Sequence, residues 1–426
     1  MTIIGLDDTD SRERGMCTTY LATRLAAAIA EVGGTVSRKL LVRLNPAVEH
    51  KTRGNAALAL HTDIDPDRAL DLAVAELEPL AAVEDPRTSP GVVVAGVDAP
   101  DDPPQAVSSF ARRAVRDVLD RETAVDLAER VGYAHRGWDG GRGRIGALAA
   151  VGAWDAFDEW TYEHIAYREF DRCGTPREVD EASVFDAADA FYPDAWDTVD
   201  RAEGEAVCVP NAPGPILYGI RGDDAETVRD LAARIESEPV EREATFVTNQ
   251  GTDAHLRDGT PDGLRDGRAY RLDGTVATDP ETRPGGHVFI ELEDPASSGD
   301  PTECVAFEPT KRFRDRVRNL RSGDEVTVCG EVADGTVKLE KFAVRALRRT
   351  EETTPVCPEC DRTMESAGRD QGYRCRDCDT SAPGPATVAV DRDLDIGWYE
   401  VPPCARRHIA KPLVRGGFDA PTHPER

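Results

Sequence analysis

Four cysteines constrain how this chain can fold more tightly than any other feature. Cys357, Cys360, Cys375 and Cys378 form a CxxC-x14-CxxC pattern. Each CxxC knuckle points two thiolates to one side, and two knuckles complete a tetrahedral Zn2+ site. The intervening QGYRC (371–375) reads as a β-turn-β return, so residues 351–426 are expected to form a zinc ribbon followed by a basic tail. All four positions are taken by protein, so this metal is structural. Cys17, Cys173, Cys208, Cys304, Cys329 and Cys404 are irregularly spaced, which fits a reducing compartment and not a disulfide framework.

At 426 residues the chain exceeds one ordinary core, and its patterning changes three times before the ribbon. Residues 1–155 read as α/β. A strand runs into an acidic loop, a helix is expected over 19–32, and SRKLLVRL (37–44) and NAALALHT (55–62) read as strands. A Pro/Asp-rich bend at 84–105 and a helical stretch at 106–131 lead into HRGWDGGRGRIGALAAVGA (135–153), a Gly/Arg-rich loop entering a small-residue helix. Residues 156–262 suggest a ferredoxin-like open sandwich, with strands at 205–210, 216–220 and 243–251 and a helix at 224–238. Residues 263–350 hold five alternating runs with the helical KRFRDRVRNL between the third and fourth, the silhouette of an OB-fold barrel.

The net charge is −28, from 80 acidic and 52 basic residues, and only six of the basic residues are lysine. That acidic, lysine-poor balance reads as adaptation to high salt, so the source is expected to be a halophile. Contact with nucleic acid would then need local basic patches. Two exist: Lys311, Arg312 and Arg314 in KRFRDRVRNLR, and Arg406, Arg407 and Lys411 in ARRHIAKPLVR. Phe313, Tyr373, Trp398 and Tyr399 lie nearby for base stacking. The chain shows no leader-like or long apolar segment, so no membrane partner and a cytoplasmic location are expected. No protein partner is inferable.

Two loops carry the chemistry. IIGLDDTDS (3–11) ends a strand in Asp7, Asp8 and Asp10, carboxylates suited to Mg2+ and through it to phosphate oxygens. Thr18 stands at the following helix start, where a cap and a phosphate-bearing side chain are both favoured. Gly141, Arg142, Gly143, Arg144 and Gly146 could wrap phosphates with backbone N–H groups and guanidinium groups. This is not a Walker A loop, because no Gly-Lys-Ser/Thr follows.

GLDDTDSRERGMCTTYLA (5–22), RLNPAVEHKTRGNAALAL (43–60), GRGRIGALAAVG (141–152), PILYGIRG (215–222) and NQGTDAHL (249–256) together resemble the archaeal tRNA-Ile 2-agmatinylcytidine synthetases. The resemblance spans essentially the whole chain. It implies a multidomain α+β protein: a kinase-like α/β N-terminal domain, a ferredoxin-like domain, an OB-fold barrel and a zinc ribbon. It also implies an ATP-dependent ligase that attaches agmatine to C2 of the wobble cytidine in the isoleucine tRNA with a CAU anticodon, so that AUA is decoded. The implied route runs through a phosphorylated base and yields AMP and phosphate. By resemblance, Asp7, Asp8 and Asp10 hold metal and ATP, Arg142 and Arg144 face phosphate, and Thr18 (or Thr19) is autophosphorylated. Agmatine is a dication, and Asp253 is the expected partner. In concentrated salt, counterion release contributes little, so RNA discrimination would rest on shape, stacking and hydrogen bonds. Two rival readings remain at this point: a non-catalytic OB-fold and zinc-ribbon nucleic-acid-binding protein, and a small-molecule kinase.

Overall fold

Two large sheets organise the chain, and the computed structural model describes residues 1–13, 15–51, 54–97, 103–294 and 299–426. The first unit runs β1 (Thr2–Asp7), α1 (Thr18–Glu31), β2 (Val36–Arg43), β3 (Ala56–Thr62), α2 (Pro66–Leu77), β4 (Gly91–Gly96), α3 (Gln105–Arg116), α4 (Arg121–Arg130), β5 (Ala134–Gly137) and α5 (Arg144–Val151). Its strands lie in the order β5-β4-β1-β3-β2, all neighbours antiparallel. β1 is central and buried on both faces. Ile4 and Leu6 pack with Tyr20, Leu21 and Leu25 of α1, while Ile3 meets the small-residue face of α5. Glycine permits the close approach of α5, because a Cβ on Gly5 would lie 2.0 Å from the Ala147 carbonyl oxygen. The start of α5 is thereby set against the end of β1.

Two expectations change here. The 84–105 bend contains β4, whose valines are buried between β1 and β5; its residues 98–102 lie outside the described residues. The 106–131 stretch is two helices, because Asp120 caps a new one by accepting from Thr123 N at 2.7 Å.

The second unit comprises β6 (Thr161–Arg168), α6 (Glu181–Phe191), β7 (Ala195–Trp196), β8 (Ile216–Gly222), α7 (Ala225–Ala232) and β9 (Val240–Thr248), ordered β9-β6-β8-β7. The strand expected at 205–210 is instead a loop. Cys208 N bonds back to Thr198 O at 3.0 Å, and the segment's apolar side chains fill the core beneath α6 and α7 without joining a ladder. β2 and β9 pair in parallel through Leu40↔Val247 and Leu41↔Thr248, so both units share one nine-stranded sheet.

β10 (Leu256–Asp258), β11 (Ala269–Val276), β12 (Glu281–Thr282), β13 (Val288–Glu293), β14 (Thr302–Ala306), α8 (Arg312–Arg318), β15 (Glu325–Ala333) and β16 (Thr336–Ala346) follow. β11, β13, β14, β16 and β15 close into a five-stranded barrel in which only β14 and β16 run parallel. α8 plugs it with Phe313 and Val317. β17 (Thr350–Thr353) pairs with β21 (Ala386–Ala389), and between them β18 (Glu365–Ser366), β19 (Tyr373–Arg374) and β20 (Ser381–Ala382) form a small sheet. The chain then returns to the barrel as β22 (Gly397–Glu400) beside β16, and β23 (Thr422–His423) adds to β22. Among the described residues no helix is long and apolar enough to cross a membrane, and all ten cysteines are free of disulfides.

Candidate active site

β1 delivers the acidic loop to the mouth of a cleft of about 110 Å3, lined by Asp7, Asp8, Asp10, Lys51, Arg142 and Gly146 among others. The first two carboxylates are held under electrostatic tension. Burial, then Asp8 and Asp10, push the Asp7 carboxyl well above its usual range. Asp8 is 9% exposed and is pushed up to about 6 by burial, against the opposing pull of Arg142. Asp8 also adopts φ 60°, a left-handed conformation that aspartate tolerates better than most residues. Its Oδ2 accepts from Arg142 Nη2 at 2.7 Å and from Ser89 N at 3.2 Å.

The second wall is the loop before α5. Ser89 joins the two motifs: its Oγ accepts from Arg142 N at 2.9 Å and donates to Asp139 O at 2.6 Å. Arg142, Gly143 and Gly146 line the cleft; Gly141 and Arg144 do not. Arg144 folds back on its own loop, donating to Gly141 O at 2.9 Å and Gly140 O at 3.2 Å. Thr18 is also off the lining. It is 5% exposed at the first position of α1, and its hydroxyl accepts from Thr9 Oγ1 at 3.0 Å. At Gly146 a side chain would force the Asp7 carboxylate to move, because a Cβ would lie 2.0 Å from Asp7 Oδ2.

The four ribbon cysteines converge as their spacing requires. Their sulfurs all lie within 4.8 Å of one another, with Cys357–Cys378 at 3.3 Å, Cys360–Cys375 at 3.4 Å and Cys360–Cys378 at 3.9 Å. A tetrahedron with Zn–S of about 2.3 Å has S–S edges of about 3.8 Å, so the donor set fits zinc. A colorimetric chelator titration of the purified protein is expected to release zinc stoichiometric with chain, and Cys375→Ser is expected to abolish that release.

The six cations expected to face RNA also make ion pairs within the protein. Lys311 pairs with Glu203 at 3.4 Å, Arg312 with Asp200 at 3.1 Å and with Glu425, and Arg314 with Glu308 at 3.6 Å. Arg406 is buried between Asp197 and Glu400, Arg407 meets Glu331 and Glu340, and Lys411 meets Glu159 at 3.1 Å. The physical reason is the chain's excess of carboxylates: a basic segment in so acidic a protein finds intramolecular partners. Phe313, Trp398 and Tyr399 are likewise buried, at 0%, 2% and 6% exposure, and unavailable for stacking on a base. Asp253 also lies outside the cleft. It accepts from Lys341 Nζ at 2.7 Å and Lys411 N at 2.7 Å, which pins the barrel and tail to the end of β9.

Comparison with known proteins decides the family. Family models described as the TiaS TCKD domain, the TiaS FLD domain and the TiaS C-terminal zinc ribbon domain match residues 3–139, 141–255 and 354–394. The isoleucine-tRNA 2-agmatinylcytidine synthetase TiaS of Haloquadratum walsbyi is 61% identical, covering all of both chains. That of Methanosarcina mazei is 47% identical over 97% of each. The chain belongs to the TiaS family. Among solved structures, the complex of TiaS with its isoleucine tRNA and ATP superposes with a TM-score of 0.89 at 40% identity, over 100% of this chain and 99% of that one. The complex of TiaS with the same tRNA, AMPCPP and agmatine gives 0.87 at 38% identity, over 100% and 99%. The salt-adapted composition is consistent with the Haloquadratum relative.

Within this TiaS family member, three groups of residues in or beside the cleft had no assigned role in the sequence reading. Ser89, Arg87 and Asp85 come from the DPRTSP turn before β4. Asp85 accepts from Ser11 Oγ at 2.7 Å, and Thr88 Oγ1 donates to Asp10 O at 2.6 Å, so this turn braces the acidic loop. His50, Lys51, Gly54 and Asn55 form a rim from the 43–60 segment, whose Thr52 and Arg53 lie outside the described residues. Asp117 closes the far side. The usable signal was the polar HKTRGN string between two strands, a loop composition with no packing purpose.

Proposed function

We propose that the chain uses ATP to attach agmatine to C2 of the wobble cytidine of the CAU isoleucine tRNA, with its chemistry in the cleft between the acidic loop and the start of α5. The observation that carries this reading is the direct junction of the two motifs through Asp8, Arg142 and Ser89. A cytosine C2 carbonyl is urea-like and has no usable leaving group. Once its oxygen carries a phosphoryl group taken from ATP, the agmatine amine attacks C2, loses its proton, and phosphate departs with that oxygen; transfer of the remaining β-phosphoryl to water, as a second phosphate, accounts for AMP as the nucleotide product. Arg142 and Lys51 supply positive charge for the transferring phosphoryl, and Gly143 and Gly146 let backbone approach it. Asp7, Asp8 and Asp10 would hold Mg2+, which would supply positive charge to offset that of the phosphates. Asp7 and Asp8, buried together and close to Asp10, gather negative charge that a bound cation would offset. Thr18, at the N-terminus of α1, is the proposed phosphorylated threonine; because it is buried beside Thr9, the 8–17 loop must shift for it to react. Arg144 acts by holding the glycine loop in shape.

The architecture supports finer readings too. The order β9-β6-β8-β7 in a β-α-β-β-α-β run suits a ferredoxin-like domain, and the closed barrel with its plug helix between the third and fourth strands suits an OB fold. A kinase-like catalytic unit at 1–155, the ferredoxin-like unit at 156–262, the OB fold at 263–350, the ribbon and tail at 351–426, and a cytoplasmic location complete the proposal. The test incubates protein, ATP, Mg2+ and radiolabelled agmatine with or without the CAU isoleucine tRNA. Label entering only the cognate tRNA, with AMP released, is expected; tight tRNA binding without label would overturn the reading. In the same assay Gly146→Ala is expected to lose about 100-fold in rate or more, because the new methyl must displace the Asp7 carboxylate.

A further inference from the structure

β2 and β9 touch at only two registered positions, Leu40↔Val247 and Leu41↔Thr248. Both strands continue in the N-terminal direction, to Val36 and Val240, with no further pairing between them, so they part and leave a wedge in the shared sheet. The wedge encloses about 570 Å3 and lies between the two helical layers, walled by Trp154 beyond the end of α5 and by Arg229 of α7. α5 rises about 1.5 Å per residue over its length, which puts the wedge at the opposite end of that helix from the acidic loop. It is a separate place from the reacting centre.

Its charge is opposite in sign to that of the protein. In a chain of net charge −28, the charged lining residues are Arg38, Lys39 and Arg229 against Glu243 alone. The lysines make the point sharply, since the whole chain keeps only six. Lys311, Lys338, Lys341 and Lys411 are in ion pairs with Glu203, Glu331, Asp253 and Glu159. Lys51 lines the catalytic cleft. Lys39 has no ion pair among the described residues, and neither has Arg229. A salt-adapted, acid-rich chain has every reason to lose or neutralise such cations, and here they face one opening. Beside them, the Arg38 guanidinium lies 3.5 Å from the Trp154 ring centroid, and Trp154 stacks on Trp160 at 5.3 Å. A guanidinium over an indole is a stable platform for a phosphate or a nucleobase.

We propose that the wedge between β2 and β9 binds the sugar–phosphate backbone of the RNA substrate at a point remote from the reacting cytidine. The proposal rests on tRNA being the substrate and assigns the grip to Lys39, Arg229 and the Arg38–Trp154 platform. The α8 and tail cations, engaged in intramolecular pairs, have no part in it. The site reads phosphate and ribose without base identity.

The test is filter binding of the CAU isoleucine tRNA transcript to the full chain, across the salt range in which the protein stays folded by circular dichroism. Lys39→Gln with Arg229→Gln is expected to weaken binding about tenfold and to flatten the slope of log K against log salt by about 1 to 2. Glu243→Gln is expected to tighten binding. Turnover at saturating tRNA and the KM for ATP should stay within about twofold of wild type, a split that a merely structural role would not produce. Unchanged affinity and slope in the double variant would overturn the proposal. So would an equal loss of poly-glutamate binding, which would make the wedge a general anion site. Should wild type bind tRNA yet transfer no agmatine, the activity reading fails while the binding comparison still decides the wedge.

Discussion

Replacing Asp8 with asparagine is expected to cut agmatine transfer by about 10^3-fold or more while making the protein more stable in metal-free buffer. The two effects share one cause. Asp8 is nearly enclosed, and burial raises its carboxyl to about 6 even though Arg142 donates to it. An unfolded aspartate releases its proton near 3.8. Between those values the folded state binds more protons than the unfolded one, so stability falls as pH rises through that window and the cost persists above it. Asparagine keeps the shape and the Arg142 bond without ionising. Its melting temperature at pH 7 should exceed wild type by a few degrees, and the gap should close below about pH 4. The rate loss follows because a neutral amide neither holds a divalent cation nor orients ATP phosphates through it. Added Mg2+ should raise the melting temperature of wild type and leave the variant unmoved. A variant that loses both activity and stability would mean that the acidic loop is scaffolding; tRNA affinity within twofold of wild type is expected in either case.

The places where sequence and structure part company follow from range. The zinc quartet, the barrel and both site loops are local patterns, contiguous runs whose spacing or alternation shows on the page, and each stands where its pattern puts it. What was not legible depends on distant partners. β4 hides in a Pro/Asp-rich stretch because only its placement between β1 and β5 buries its valines. The union of the two α/β units rests on β2 meeting β9, strands separated by most of both units. Arg142 and Arg144 are equivalent in a string of letters; the turn into α5 sends one to Asp8 and the other back to Gly140 and Gly141. The basic runs follow the same rule: a row of cations shows charge but not the carboxylates that meet it from elsewhere in the chain.

Those carboxylates carry a structural consequence. Arg312 joins α8 to Asp200, Arg415 joins the tail to Asp223 at 2.6 Å, and Arg268 joins the barrel to Asp117 at 2.7 Å. The barrel and tail are therefore fastened to the two α/β units by ion pairs as well as by apolar packing. Pairs that keep one partner partly in water contribute little each. The exception is the buried one.

Arg406→Ala is expected to be the most destabilising single substitution among these cations, by about 3–5 kcal/mol. The Arg406 side chain is 4% exposed, against 2% for each of its partners, Asp197 and Glu400. Removing it leaves two carboxylates facing each other away from water. Glu400 is already pushed up to about 7 by burial, even with the guanidinium 2.8 Å away. Without that guanidinium Glu400 holds its proton more tightly still in the folded state, and far more tightly than in the unfolded one. Stability must then fall as pH rises, so the deficit should be largest above about pH 8 and shrink toward pH 5. Adding Asp197→Asn should recover part of it by removing a buried charge left with Arg221 alone, 3.7 Å away. Thermal melts across pH decide the matter against the reading in which Arg406 grips RNA. A phosphate-contacting arginine, once removed, would leave melting unchanged at every pH and would lower tRNA affinity alone, because no buried carboxylate would depend on it.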